Sequence, residues 1–274
     1  MSLTFHERLK IRWQEHNTLL CIGLDPLPEK FPAAVAGQPD AVFAFNRAII
    51  DATHDLVCAY KPQIAHYAAL GAEDQLQQTM DYLRNCYPDI PVILDSKRGD
   101  IGSTAERYAA EAFDRYGADA VTVNPYMGAD TIAPFARYAS KGVVVLCRTS
   151  NPSASELQDL TLESGEKLFA RVARLAAREW NSHQNLALVV GATAPAELAE
   201  VRKLIGDMPI LVPGLGAQGG DASAVLQAGL NSTGDGLVIN SARGILYASQ
   251  GRDFASAARE EALALRDLAN RYRP

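Results

Sequence analysis

The stretch ILDSKRGDIGSTAERYA, residues 93–109, decides the fold. An apolar run stops at two acids and a lysine, Asp95, Lys97 and Asp100, spaced D-x-K-x-x-D, and a segment of helical period follows over 103–116. A short aliphatic run that ends in charge and turns directly into a helix is one strand–helix unit. The unit recurs along the chain. Strands are expected at 18–26, 56–65, 92–97, 119–128, 142–150, 186–193, 209–216 and 235–244, with helical segments at 39–53, 73–85, 103–116, 165–180, 194–205 and 221–229. Strands that read as continuous apolar runs between helices are parallel strands joined by right-handed crossovers. Eight such units in 274 residues predict an α/β fold made of one closed (β/α)8 barrel over residues 1–274, preceded by a short amphipathic helix at 3–16. Strand end and helix start are hard to separate over 61–72.

Composition narrows the function. The formal charge is −6 and there is no Lys/Arg-rich run, so nucleic acid is not the expected partner and an anionic ligand must be held by a few placed cations. The N-terminal MSLTFHERLKIRWQEHN is charged throughout, and no window approaches the roughly 20 apolar residues of a membrane span, so a cytoplasmic protein without membrane contact is expected. Cys21, Cys58, Cys86 and Cys147 are scattered and form no C-x-x-C; three lie in strand-like runs and read as buried free thiols. The histidines show no metal-ligand spacing, and no metal or cofactor is expected.

In a barrel of this kind, chemistry sits at the C-terminal ends of the strands. Those ends carry Asp25, Lys61, Asp95 with Lys97, Asn124, Ser150, Pro213 and Arg243. Residues two apart on a strand face the same side, so Asp95 and Lys97 are expected together, and Asp25 and Lys61 on neighbouring strands can form a second acid–ammonium pair beside them. Alternating signs keep all four groups ionised, because a cation lowers a carboxylate's pKa and a like charge raises it. A lysine between acids keeps its proton and is better suited to general acid catalysis than to Schiff-base chemistry. A single such pair is equally well a structural ion pair at a strand end. Recurrence at several strand ends favours one convergent site.

The loop PGLGAQGGD, 213–221, holds Gly214, Gly216 and Gly219 as G-x-G-x-x-G after the seventh strand. A dinucleotide fold would want an acid ending the next strand, which here ends at Asn240. A phosphate site in the loops after strands seven and eight fits better, with glycines admitting the oxyanion to backbone N–H groups and Arg243 adding a fork of donors. The expanded, Ser-rich connection at 149–167 reads as either a lid or a plain surface excursion.

Together the motifs LDSKRGDIGSTA (94–105), AYKPQ (59–63), NPYMG (124–128), TSNP (149–152) and PGLGAQGG (213–220) resemble the orotidine 5′-phosphate decarboxylase family, in its longer bacterial branch, over nearly the whole chain. The resemblance implies cofactor-independent decarboxylation of orotidine 5′-phosphate to UMP in pyrimidine biosynthesis. It implies Lys97 as the acid that protonates C6, Asp95 beside the substrate carboxylate, and Asp25 and Lys61 on the ribose hydroxyls. It further implies a homodimer in which Asp100 and Thr104 reach the partner's site, Ser150 on the pyrimidine edge (with Thr149 or Asn151 as alternatives), and Gln218 and Arg243 on the phosphate. Pro213 opens that phosphate loop. Two rivals share parts of this pattern. Metal-dependent sugar-phosphate decarboxylases and synthases on the same barrel have an acid where this chain has Lys61, and a non-catalytic phosphate-ligand binder would not need Asp95, Lys97 and Asp100 together.

Overall fold

Eight parallel strands form one sheet in the order β2-β1-β8-β7-β6-β5-β4-β3 in the computed structural model, which describes residues 3–215 and 222–274. The strands are β1 (Leu20–Leu24), β2 (Ala59–Pro62), β3 (Ile93–Arg98), β4 (Ala120–Val123), β5 (Gly142–Arg148), β6 (Leu186–Val190), β7 (Ile210–Pro213) and β8 (Leu237–Ser241). All but β3 are shorter than the expected runs, which continue into the connecting segments. The ring closes between β2 and β3 through two isolated parallel bridges, Tyr60 with Val92 and Gln63 with Asp95. Every other neighbouring pair forms a parallel ladder, with register shifts between Leu94 and Arg98 on β3 and between Leu146 and Arg148 on β5.

The helices follow in order: α1 (Phe5–Gln14), α2 (Ala41–Thr53), α3 (Ile64–Leu70), α4 (Glu73–Cys86), α5 (Gly102–Ala110), α6 (Ala129–Ala136), α7 (Leu168–Arg178), α8 (Pro195–Ile205), α9 (Ala222–Gly229), α10 (Arg243–Leu246) and α11 (Phe254–Asn270). The ambiguity at 61–72 has a local cause: Pro62 ends β2 and Gln63 caps α3 at once, its side chain accepting from the Ala65 N–H. α1 begins with a Thr4/Glu7 capping box and packs under the start of β5, where the Phe5 N–H donates to Ser140 O at 2.9 Å. Its Arg8 pairs with Asp119 at 2.5 Å; Asp119 also faces Lys141 at 3.7 Å and accepts from the Val92 N–H.

α2 and α11 lie side by side. Phe45 of α2 is fully buried and stacks with Phe31, Tyr247 and Phe254, at 4.6, 5.8 and 5.5 Å between centroids. Burying one such ring is worth about 2–3 kcal/mol, and each aromatic pair about 0.5–1.5 kcal/mol more. This cluster fixes the connection after β1 to the segment after β8. Cys21, Cys58 and Cys147 are buried free thiols, as expected, whereas Cys86 at the end of α4 is exposed. Burial pushes the Cys58 and Cys147 thiols up to about 12. Among the described residues, no helix is long and apolar enough to cross a membrane.

Candidate active site

The end of β3 does not run as a plain strand. Leu94 pairs with Val121 and Arg98 with Val123, so four steps of β3 span two of β4. Lys97 takes a left-handed backbone at φ +48°, which costs a non-glycine residue about 1–2 kcal/mol. Thr122, on β4 and 1% exposed, stabilises the irregularity. Its hydroxyl accepts the N–H of Ser96 and of Lys97, both at 2.9 Å, and donates to Asp95 Oδ1 at 2.8 Å. Simple strand alternation, expected to bring Asp95 and Lys97 to one face, is therefore not how they meet. The bulge brings them together, with Lys97 Nζ 2.7 Å from Asp95 Oδ1.

Asp95 is 6% exposed, and its other oxygen faces Lys61 Nζ at 2.7 Å. Burial alone would raise this carboxyl; the Lys61 and Lys97 ammoniums outweigh it and hold Asp95 well below the usual carboxylate range. Lys61 is buried too. Desolvation would lower it, but the charges of Asp95 and then Asp25 prevail, and it lies above its ordinary value. A second acid–ammonium pair of Asp25 with Lys61 does not form. Lys61 pairs directly with Asp95, and Asp25 acts on it only through space. The reason is the seam: Gln63 bridges Asp95, which sets the end of β2 against the β3 carboxylate.

Asp25 follows β1 on a loop held by two tyrosines. Tyr247 OH donates to Asp25 O at 2.9 Å and accepts the Leu27 N–H at 2.7 Å, and Tyr67 OH donates to Leu24 O at 3.0 Å. Asp25 Oδ1 is buried without a hydrogen-bond partner among the described residues. It is an acceptor suited to a hydroxyl.

Other expected residues stand apart from this cluster. Asp100 is half-buried and among the described residues accepts only the Ile101 N–H, while Thr104 is exposed in the first turn of α5. Around them Ile101, Tyr126 and Met127 are exposed large apolar side chains on the loops after β3 and β4. Asn124 caps its own turn, accepting the Tyr126 N–H. Ser150 is half-buried and makes no hydrogen bond among the described residues. Its alternatives are engaged: Thr149 exchanges hydrogen bonds with Gln158, and its hydroxyl donates to Asn151 Oδ1 at 2.6 Å. Arg148 grips Asp159 through two bonds of 2.9 and 3.0 Å. The 149–167 connection is thus folded back onto the end of β5. Pro213 ends β7, its carbonyl accepting the Ala192 N–H, and Gly214 follows at φ +93°. Arg243 opens α10, is exposed and has no ion pair among the described residues. Gln218 lies outside the described residues.

Sequence reasoning missed Thr122, Tyr67 and Tyr247, and with them the structural parts of Glu111 and Asp119. Asp119 binds α1 to the barrel, as above. Glu111 forms a bidentate pair with Arg98 at 2.9–3.1 Å, and Arg98 lies 4.5 Å over the Tyr108 ring. A π-helical turn at Glu111–Arg115 extends α5 and carries that carboxylate.

The chain is similar to known proteins over most of its length. The sequence pattern of the orotidine 5′-phosphate decarboxylase / HUMPS family matches residues 18–259. An orotidine 5′-phosphate decarboxylase of Cellvibrio japonicus is 60% identical over 270 residues, covering 98% of each chain. That of an Azoarcus species is 59% identical over 269 residues, covering 98% of this chain and 99% of the other. Among solved structures, the OMP decarboxylase of Leishmania donovani superposes with a TM-score of 0.82 at 39% identity, covering 97% of this chain and 99% of that one. The UMP synthase of the same organism gives 0.84 at 41%, covering 97% of this chain and 57% of the synthase. With a barrel fold, a Lys61–Asp95–Lys97 cluster at its strand ends and near full-length identity of this order, the chain belongs to the orotidine 5′-phosphate decarboxylase / HUMPS family.

Proposed function

We propose that this chain decarboxylates orotidine 5′-phosphate to UMP and carbon dioxide in pyrimidine biosynthesis, without a cofactor, and that residues 1–274 act as one cytoplasmic catalytic domain. The observation that carries the reading is the buried Asp95 carboxylate bracketed by two ammoniums, Lys61 and Lys97, each at 2.7 Å. Lys61 also separates this reading from metal-dependent chemistry on the same barrel. A buried ammonium already paired with Asp95 repels a divalent cation from that carboxylate.

The bond from C6 to the carboxyl carbon breaks, carbon dioxide leaves, and the electron pair stays on C6. Lys97 Nζ gives its proton to that carbon and afterwards regains one from solvent. A preorganised ammonium stabilises charge that develops only as the bond breaks, which is where electrostatic catalysis acts most strongly. Proton donation by one positioned group accounts for about 10²–10⁴ of the rate. Asp95 lies beside the departing carboxylate and holds Lys97 in place. Asp25, with its unpartnered buried oxygen, accepts a ribose hydroxyl next to Lys61. Ser150, the uncommitted member of its triplet, reads the pyrimidine edge. Arg243, with the 214–220 loop and Gln218, takes the phosphate, whose binding energy supports closure by the 149–167 segment.

The active unit in this reading is a homodimer. Among the described residues Asp100 and Thr104 make no hydrogen bond to the Lys61–Asp95–Lys97 cluster, and they stand among the exposed Ile101, Tyr126 and Met127, a surface suited to burial against a second copy. The deciding experiment follows loss of orotate absorbance with orotidine 5′-phosphate and a chelator, for wild type and Lys97→Ala. Turnover unaffected by the chelator and abolished in the folded variant is expected. Binding without turnover, or loss of turnover on chelation, would overturn the proposal.

A further inference from the structure

We infer that Thr122 is a positioning residue for this reaction, its hydroxyl fixing both the left-handed turn at Lys97 and the carboxylate that Lys97 pairs with; the inference rests on the decarboxylase reading above. A threonine hydroxyl has one hydrogen to donate and two lone pairs to accept with. Thr122 uses all three: the donor goes to Asp95 Oδ1 at 2.8 Å, and the acceptors take the Ser96 and Lys97 N–H groups at 2.9 Å each. These three partners are the acid, the lysine's own backbone and the residue between them. The β3–β4 ladder is interrupted at this point, between Leu94 and Arg98. Backbone bonds that a regular ladder would supply are thus replaced by one side chain.

The geometry points to control of where Lys97 Nζ sits, not of whether substrate binds. The Lys97 side chain is long and half-exposed, with one ion-pair partner among the described residues, so its base must be fixed for its tip to be. Rotation at a left-handed residue would swing the ammonium away from the reacting carbon. A displacement of about 1 Å at a reacting group can cost on the order of 10² in rate. Thr122 shares Asp95 Oδ1 with Lys97 and leaves Oδ2 to Lys61, and it carries no charge, so removing its hydroxyl leaves both ion pairs able to form.

Two variant pairs isolate the hydroxyl. Wild type and Thr122→Val differ by a hydroxyl for a methyl; Thr122→Ser and Thr122→Ala both lack the methyl and differ only in the hydroxyl. Steady-state kinetics with orotidine 5′-phosphate should show kcat falling about 10- to 100-fold in Thr122→Val with KM changed less than about threefold. Thr122→Ser should exceed Thr122→Ala in kcat by at least about tenfold. Amide hydrogen exchange at Ser96 and Lys97 should quicken in the Val and Ala variants while Leu94 stays protected. If Thr122→Val does not fold, the Ser/Ala pair alone decides. Equal kcat in that pair, a loss confined to KM, or unchanged exchange at Ser96 and Lys97 would overturn the inference. An inactive wild type would instead overturn the decarboxylase reading, and the exchange measurement would still judge whether Thr122 holds the turn.

Discussion

Replacing Lys61 by methionine removes an ammonium and keeps most of the aliphatic volume. Asp95, 6% exposed, is left with Lys97 and the Thr122 hydroxyl. At 2.7 Å and an effective dielectric of about 20, the lost attraction is roughly 6 kcal/mol in gross Coulomb terms. The variant no longer desolvates an ammonium, which offsets part of it. Breaking a buried pair from one side costs about 3–5 kcal/mol, against about 0–1 kcal/mol for an exposed one, and a loss of about 3–4 kcal/mol at pH 7 is expected. The pH dependence has a definite sign. In the wild type Asp95 is depressed below its unfolded value of about 3.9, so its stabilisation is complete above that value and is lost as pH falls through the folded one. In Lys61→Met the folded carboxyl moves up, because burial is opposed by one cation instead of two. Acid therefore relieves the variant before it harms the wild type, and the gap between them narrows on descending from pH 7 to 4. Urea denaturation of both proteins across that range is the assay. A gap below about 1 kcal/mol at pH 7, or one that stays constant to pH 4, would refute a buried, charged Lys61–Asp95 pair.

Four further outcomes are expected. Lys97→Ala should lose at least about 10²-fold in kcat with little change in urea stability, since the side chain is half-exposed, and Lys97→Gly should be about 1 kcal/mol more stable than Lys97→Ala because of its φ of +48°. If Asp100 completes the partner's site, mixing inactive Lys97→Ala and Asp100→Ala subunits under exchange should restore about a quarter of wild-type turnover, the share of intact sites under random pairing; no recovery would count against the shared site. Gly191→Ala would set a Cβ 2.7–2.9 Å from the Ser150 Cβ, Cα and N, so KM should rise, and an unchanged KM would remove Ser150 from the substrate. Gly142→Ala would set a Cβ 2.7 Å from Phe5 Cε1 and 2.9 Å from Ala120 Cβ, costing about 1–3 kcal/mol in urea denaturation by levering α1 from the barrel.

The eight strands were legible because each is an uninterrupted apolar run that ends in charge or a turn. α11 was not. Its buried positions include Ala258, Ala262 and Ala269, too small to stand out as a stripe among its charges. α6 was hidden in the same way by its short length and internal Pro134. In the site, Lys61, Asp95 and Lys97 could be found because ionised side chains at strand ends are costly and so conspicuous. Thr122 could not. A threonine in DAVTV reads as a β-branched strand former, and only the shifted β3–β4 register brings its hydroxyl under Asp95. Tyr247 is separated from Asp25 by 222 residues and acts through a backbone carbonyl, which leaves no pattern to read.

Each pair of neighbouring strands in the ring is joined by a ladder, regular or shifted, except β2 and β3, where two isolated bridges do the joining. Lys61 stands on one lip of that gap and Asp95 on the other. The Lys61–Asp95 ion pair proposed for catalysis is therefore also the clasp of the barrel, so the two duties would fall together. Any excursion that parts β2 from β3 takes the acid away from its buried ammonium before helices or the remaining ladders are disturbed. Heat or denaturant should silence such a molecule while its circular dichroism is still that of a folded protein, so turnover is the more sensitive thermometer of whether the ring is shut.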